Sequence, residues 1–202
     1  MKDTLFILIG NLLYKYRYAI HNIKNRMANL VLSHECPNHR ELVVEHPVII
    51  HGGRYMTIGN NFHAFSDLRL ECINEWYGDH YSPKLIIGNN VTLHYRCHIG
   101  CINRIEIGDD VLIGSNVLIT DHAHGELKEE SKDIPWIKRP LFSKGPVVIE
   151  SNVWIGENVS ILPNVTIGKG SVIGANSVVT HDIPSYCLAA GSPAVVLKQL
   201  RY

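Results

Sequence analysis

Along most of this chain an aliphatic residue returns at every sixth position. From residue 149 the series reads Ile149, Ile155, Ile161, Ile167, Ile173, Val179. Four positions after each of the first five stand Val153, Val159, Val165, Ser171 and Ser177, and glycine follows at Gly156, Gly168 and Gly174. The same spacing occurs earlier, at Ile58, at Ile87, Leu93 and Ile99, and at Ile107, Ile113 and Ile119. A helix needs apolar positions every three to four residues, and a long alternating strand would not carry Gly and Asn at fixed offsets. On a short strand successive side chains face opposite ways, so Val153 and Ile155 should point inward and Trp154 outward. Gly156-Glu157-Asn158 then turns the chain, because Gly and Asn tolerate left-handed backbone angles, and Val159 re-enters the core. Three strands and three corners close a triangular coil. Coils stacked about 4.8 Å apart bury a column of aliphatics that no single coil could bury. The pattern predicts an all-β, prism-shaped parallel β-helix.

Three stretches depart from the beat. The N-terminal segment carries apolar residues at helical spacing: Leu5, Leu8, Leu12, Tyr16, Ile20, Ile23, Met27 and Leu30. It also carries Lys15, Arg17, Lys24 and Arg26. The apolar run Leu5–Tyr14 is about half the length that spans a bilayer and lacks a small-residue cleavage site, so the segment reads as one or two amphipathic helices. Its apolar stripe packs on the rest of the protein or a sister subunit, or lies on an anionic membrane face. The second departure is NEWYGDHYSP at 74–83, whose Trp76, Tyr77 and Tyr81 suit either a carbohydrate-facing rim or loop packing. The third begins at DHAHG (121–125) and lasts until the beat resumes near residue 147. The organisation is therefore a helical segment over 1–33 and a β-helix over 42–198, with a loop over 125–146 extruded from the prism.

Composition narrows the function. The 202 residues carry no net charge, which gives no electrostatic reason to expect nucleic-acid binding. The 46% hydrophobic content is enough for a core. Cys36, Cys72, Cys97, Cys101 and Cys187 form no CxxC pair, so neither a zinc ribbon nor a disulfide framework is expected. A reducing, cytoplasmic location fits them, at the inner face of the membrane if the helix docks there.

The stretch VVIESNVWIGENVSILPNVTIGKGSVIGANSVVTHDIPSYCLAAGSPAVVLKQL resembles the C-terminal half of the hexapeptide-repeat acyltransferases, in the branch of sugar and polysaccharide O-acetyltransferases that includes galactoside and maltose acetyltransferases. The likeness is strongest over residues 105–198, looser back to residue 58, and does not reach the first forty residues. It implies a left-handed β-helix, a homotrimer, and acetyl-CoA as acyl donor with no metal required. It implies a histidine general base at the foot of the long loop, which matches His122. A hydroxyl that attacks a thioester must lose its proton as the bond forms, and an imidazole within hydrogen-bond reach can take it. His124 competes for that role. By strand phase Ala123 would point inward, His124 outward, and His122 would sit at the corner. Trp154, in NVWIG, matches a wall of the active-site cleft. On the coenzyme A side the resemblance implies Gly156, Glu157 and Ala175 along the pantetheine arm, Thr180, His181 and Gly191 near the cofactor, and Lys198 near the phosphates. The galactoside enzymes have Lys where this chain has His181 and Arg where it has Val195, so the phosphate grip differs, with Lys169 or Arg201 as candidates.

On the acceptor side, His124, His98 and Asp121 are candidate substrate-binding residues, with His94, Arg96 and Asn103 nearby. The function so implied is O-acetyl transfer from acetyl-CoA to a sugar hydroxyl of a polysaccharide or its precursor. Two other enzymes use such coils: N-acetyltransferases of amino-sugar nucleotides, and gamma-type zinc carbonic anhydrases. The second would need three converging histidines, drawn from His94, His98 and His122 or His124. A non-catalytic scaffold would have no need of the long loop.

Overall fold

The computed structural model describes residues 2–36 and 41–201. From Val43 onward the chain winds as a left-handed parallel β-helix whose three faces are sheets of eight, six and five strands, parallel throughout except for the last strand of the eight. The eight-stranded sheet also takes in the antiparallel hairpin that ends the fold, Cys187–Gly191 with Ala194–Gln199. The hexapeptide beat supplies one inward column per face. Leu93, Ile113, Ile155 and Ile173 stack on the first face; Ile99, Ile119, Ile161 and Val179 on the second; Ile58, Ile87, Ile107, Ile149 and Ile167 on the third. Every one of these side chains is sealed from solvent.

The corners divide the turning between two residue types. Asn116, Asn158 and Asn176 adopt φ of 59°, 57° and 60°. Their side chains form a ladder, Asn116 Nδ2 donating to Asn158 Oδ1 at 2.9 Å and Asn158 Nδ2 to Asn176 Oδ1 at 3.1 Å. Asparagine thus bears the left-handed angle and ties each coil to the next. Gly156 serves a different need: a Cβ there would lie 2.7 Å from the Ala175 amide nitrogen of the coil above. Where the stack ends, Ser171 and Ser177 replace the valines of the repeat. Ser171 Oγ donates to Pro184 O and accepts from the Cys187 amide, and Ser177 Oγ accepts from the Gly191 amide. The hydroxyls satisfy the backbone of the tail where no further coil would.

The opposite end is closed by a single helix, Lys2–Glu35. Its side chains do the work of a missing coil at the outermost strand, Val43–Val44. Asn29 donates to Val44 O at 3.0 Å and accepts from Val44 N at 2.7 Å, Asn25 accepts from the His46 amide, and Glu35 accepts from the Gly53 amide. Leu32 and Cys36 are buried over the first coil. An unpaired strand edge is thereby covered. The face that packs is not the stripe expected from sequence. Leu12, Tyr16, Ile23, Met27 and Leu30 are exposed, as are Phe6, Ile7, Ile9 and Leu13, while the Leu5 and Leu8 side chains lie outside the described residues. Short polar residues were favoured at the docking face because they answer backbone groups, which a count of apolar positions does not register. Among the described residues no helix is long and apolar enough to cross a membrane.

Candidate active site

The chain leaves the prism at Asp121. In the repeat this position belongs to a corner, yet Asp121 is fully buried. Its Oδ1 accepts from the Ile102 amide at 2.9 Å and its Oδ2 from the Asn103 amide at 2.8 Å and from Cys101 Sγ at 3.4 Å. The remaining partner is His122, whose Nδ1 lies 3.0 Å from Asp121 Oδ1. Burial alone would raise the Asp121 pKa. The hydrogen bonds from His122, Ile102 and Asn103, and the charge of the imidazole, outweigh it and hold the carboxyl below its ordinary value. An ionised Asp121 requires a proton on His122 Nδ1, which leaves the lone pair on Nε2. Thr120 Oγ1 approaches the same Nδ1 at 3.2 Å. Asp121 is therefore an orienting group for His122 and does not face an acceptor, contrary to the sequence expectation.

Ala123 does not point inward. It is exposed with His124, because the chain has already left the prism: Ala123–His124 pairs antiparallel with Leu141–Phe142 to form the stem of the loop. His124 rests edge-on against Trp76, ring centroids 5.2 Å apart, and among the described residues it bonds to no carboxylate. The 74–83 stretch forms a hairpin, Glu75–Trp76 with Asp79–His80, that braces the loop. Trp76 Nε1 donates to Ile137 O at 3.1 Å, and the Tyr81 hydroxyl accepts from the Leu141 amide at 2.7 Å. Inside the loop Arg139 is buried, its guanidinium 3.5 Å over the Trp136 ring and its Nε donating to Ile134 O. Gly125 is required for this: it holds φ +87°, and a Cβ there would strike the Arg139 side chain at 2.8 Å. An apolar cleft of about 570 Å³ opens beside His124, lined by Ala123, Gly125, Leu127, Trp136 and Ile137.

His98 lies close to His122. Both rings come within van der Waals reach of the point where a Gly100 Cβ would stand, His122 Cε1 at 3.2 Å and His98 Nε2 at 3.5 Å. The other expected residues sit elsewhere on the chain. Trp154 is half exposed on the eight-stranded face, in one column with Leu112 and Val172. Gly156, Glu157 and Ala175 occupy the corner between the eight- and six-stranded faces. Thr180 and His181 follow the last strand of the six-stranded face, joined by a 2.8 Å hydrogen bond, on the same edge of the prism from which His122 and the loop emerge. Lys198 is exposed on the terminal hairpin. Within one chain the candidate base and the pantetheine-side corner are thus on different edges. Among the described residues no three His, Cys, Asp or Glu side chains gather to hold a metal ion. His94 lies tilted against Phe65, His98 bonds to Glu71, His122 to Asp121, and His124 meets Trp76.

Sequence reading missed Glu71, Gly100 and Arg139. A glycine inside the strand His98–Cys101 was the one legible sign, since a strand glycine marks a close approach.

Comparisons with known proteins agree with this architecture. The family described as bacterial transferase hexapeptide (six repeats) matches residues 146–181. An Escherichia coli K12 protein, WbbJ, named as a lipopolysaccharide-biosynthesis O-acetyl transferase, is 37% identical over 164 residues, covering 79% of this chain and 80% of its own length. A maltose O-acetyltransferase from Clostridium difficile 630 superposes with a TM-score of 0.56 at 25% identity, over 93% of this chain and 86% of that one. AntD, an N-acyltransferase from Bacillus cereus solved with dTDP-4-amino-4,6-dideoxyglucose and coenzyme A, has a TM-score of 0.66 over 82% and 84% of the two chains. At 21% identity that likeness speaks for the fold alone. With its stacked hexapeptide coils, its loop-foot histidine and a relative this similar over four-fifths of its length, the chain belongs to the hexapeptide-repeat family of bacterial transferases.

Proposed function

We propose that the protein is an acetyl-CoA-dependent O-acetyltransferase that acetylates a sugar hydroxyl of a polysaccharide or its precursor. The observation that carries this is the buried Asp121 carboxylate holding His122 at the foot of the extruded loop. His122 Nε2 takes the proton of the acceptor hydroxyl as its oxygen attacks the thioester carbonyl. Asp121 stabilises the imidazolium that results. When the tetrahedral adduct collapses, the carbon–sulfur bond breaks and the imidazolium returns the proton to the departing thiolate, giving the acetyl ester and free coenzyme A. At the pantetheine-side corner Gly114, Gly156 and Ala175 stack on one another, so an extended arm meets backbone rather than side chains. The test is thiol release from acetyl-CoA against a panel of methyl glycosides and glycan fragments. Hydroxyl-dependent release is expected. Release only with amino sugars would move the reaction to N-acetylation, and release with none would reject the proposal.

The working unit in this reading is a homotrimer. Support comes from the separation just described: a site that uses both the His122 edge and the Gly156–Ala175 corner needs those edges from two copies. Light scattering that finds a monomer at micromolar concentration would reject it.

The free part of the helix is read as a membrane contact at the inner, cytoplasmic face. Phe6, Ile7, Ile9, Leu12 and Leu13 are exposed at its distal end, and Tyr14, Lys15, Tyr16, Arg17 and Tyr18 follow directly. An apolar tip followed by a collar of tyrosines and cations matches the layers of an anionic leaflet surface. Parallel prisms in a trimer would present three such tips together, which multiplies weak binding. Sedimentation with phosphatidylglycerol vesicles is expected, and its absence would reject the contact.

A further inference from the structure

The outward face of the six-stranded sheet holds a second histidine–carboxylate pair one coil before the first. Across this face Arg69, His98 and Leu118 form one column of neighbours, and Glu71, Gly100 and Thr120 the next. His98 reaches diagonally to Glu71, with Nε2 2.9 Å from Oε2. Arg69 Nε reaches the same oxygen at 2.6 Å, and the Glu71 side chain is 17% exposed. Glu71 is thus clamped between two donors. It is acceptor-only when ionised, so it fixes the His98 proton on Nε2 and leaves the lone pair on Nδ1. Burial pushes the His98 pKa below the ordinary imidazole value and so favours the neutral ring, against the Glu71 hydrogen bond, which pulls it upward.

The two pairs are complementary. His122 carries its proton on Nδ1 and its lone pair on Nε2; His98 carries them the other way round. Gly100 has no side chain to separate the rings, which both reach the space a Cβ would fill. The atoms nearest that space are His122 Cε1 and the Glu71-bound Nε2 of His98, so two imidazoles of adjacent coils share one rim, one backed by the fully buried Asp121 and the other by the partly buried Glu71. Resting on the O-acetyltransferase reading, we propose that His98, held in one tautomer by Glu71, accepts a hydrogen bond at Nδ1 from the hydroxyl beside the one that His122 deprotonates, so that the enzyme selects acceptors with two neighbouring free hydroxyls. His98 is then a binding residue and Glu71 a positioning residue.

Two measurements test this. The first needs no acceptor: proton–nitrogen spectra of the histidine rings, assigned with His98→Ala and His122→Ala, should show opposite neutral tautomers for His98 and His122. Glu71→Gln should abolish the fixed form of His98 alone. A proton on His98 Nδ1 would overturn the proposal. The second is kinetic, with methyl glycopyranosides and their monodeoxy analogues. In the wild type, removal of the neighbouring hydroxyl should raise KM about tenfold with a smaller change in kcat. His98→Ala should bind the diol and the deoxy analogue alike. His98→Asn, which can place an amide oxygen near the Nδ1 position, should restore part of the difference, and a purely structural role would not be rescued this way. Glu71→Gln should raise KM several-fold with the melting temperature little changed. Full discrimination in His98→Ala, or a kcat loss equal to that of His122→Ala, would overturn the assignment. Wild-type protein that releases no thiol with any glycoside would instead sink the O-acetyltransferase reading, while the tautomer pair is still read directly.

Discussion

Asp121 Oδ1 and His122 Nδ1 are neighbours in sequence and lie 3.0 Å apart, yet one is sealed inside the prism and the other stands at its rim. The corner peptide makes this division. It turns the carboxylate inward onto the amides of the preceding coil and leaves the imidazole at the rim, so the candidate base is anchored to the core.

Replacing that anchor tests the arrangement. Asp121→Asn should lower kcat by roughly 10- to 10²-fold, because an amide no longer requires the proton on Nδ1 and its NH₂ faces the Ile102 or Asn103 amide. Affinity for coenzyme A, measured by calorimetry, should hold. A variant with full kcat would show that the dyad is not used.

The same carboxylate sets an acid limit on stability. Its folded pKa lies below its unfolded value, so it stabilises the fold fully above about pH 4. That contribution disappears as pH falls through the lower folded value. The melting temperatures of wild type and Asp121→Asn should therefore differ most near neutrality and converge as the pH drops below 4. A constant gap across that range would contradict the assignment.

His122→Ala should reduce kcat by about 10²–10⁴-fold while coenzyme A still binds. His124→Ala should cost about tenfold or less, since that ring rests on Trp76 and, among the described residues, has no carboxylate partner. The opposite ranking in thiol-release kinetics would transfer the base to His124.

Trp76→Phe removes the donor to Ile137 O and keeps an aromatic ring. The loop should become more sensitive to limited proteolysis over residues 125–146, with little change in melting temperature because the coils are untouched. Unchanged cleavage rates would mean the hairpin does not brace the loop.

A truncation and a substitution separate the roles of the helix. Removal of residues 2–20 leaves Asn25, Asn29, Leu32 and Glu35 in place and should abolish vesicle binding while the fold stays stable. Asn29→Ala should instead destabilise the protein by about 2 kcal/mol, as both Val44 backbone groups lose their partner. Denaturant titration and vesicle sedimentation give the two answers. A destabilised 2–20 deletion that still binds vesicles would invert the assignment.

The hexapeptide beat determined the coil by itself, because inward and outward positions within a strand follow from local geometry alone. Each aliphatic named from Ile58 to Val179 is buried in its column, and the loop foot at residue 121 was visible as the point where the beat stops. The sequence also marked His122 and His98 as candidates by residue type and place. Only the tertiary structure decided what each one contacts. Glu71 and His98 are far apart in the chain, and nothing local predicts that adjacent coils bring them to 2.9 Å. Asp121 looked like a surface carboxylate because corner residues usually are; its inward turn depends on the free amides of Ile102 and Asn103, which belong to another coil. The helix was legible as a helix, but its docking face was set by the unpaired backbone of Val44, His46 and Gly53. Periodicity within one strand is a property of the chain, whereas hydrogen bonding between coils depends on which coil lies beside it, and that is known only once the chain is wound.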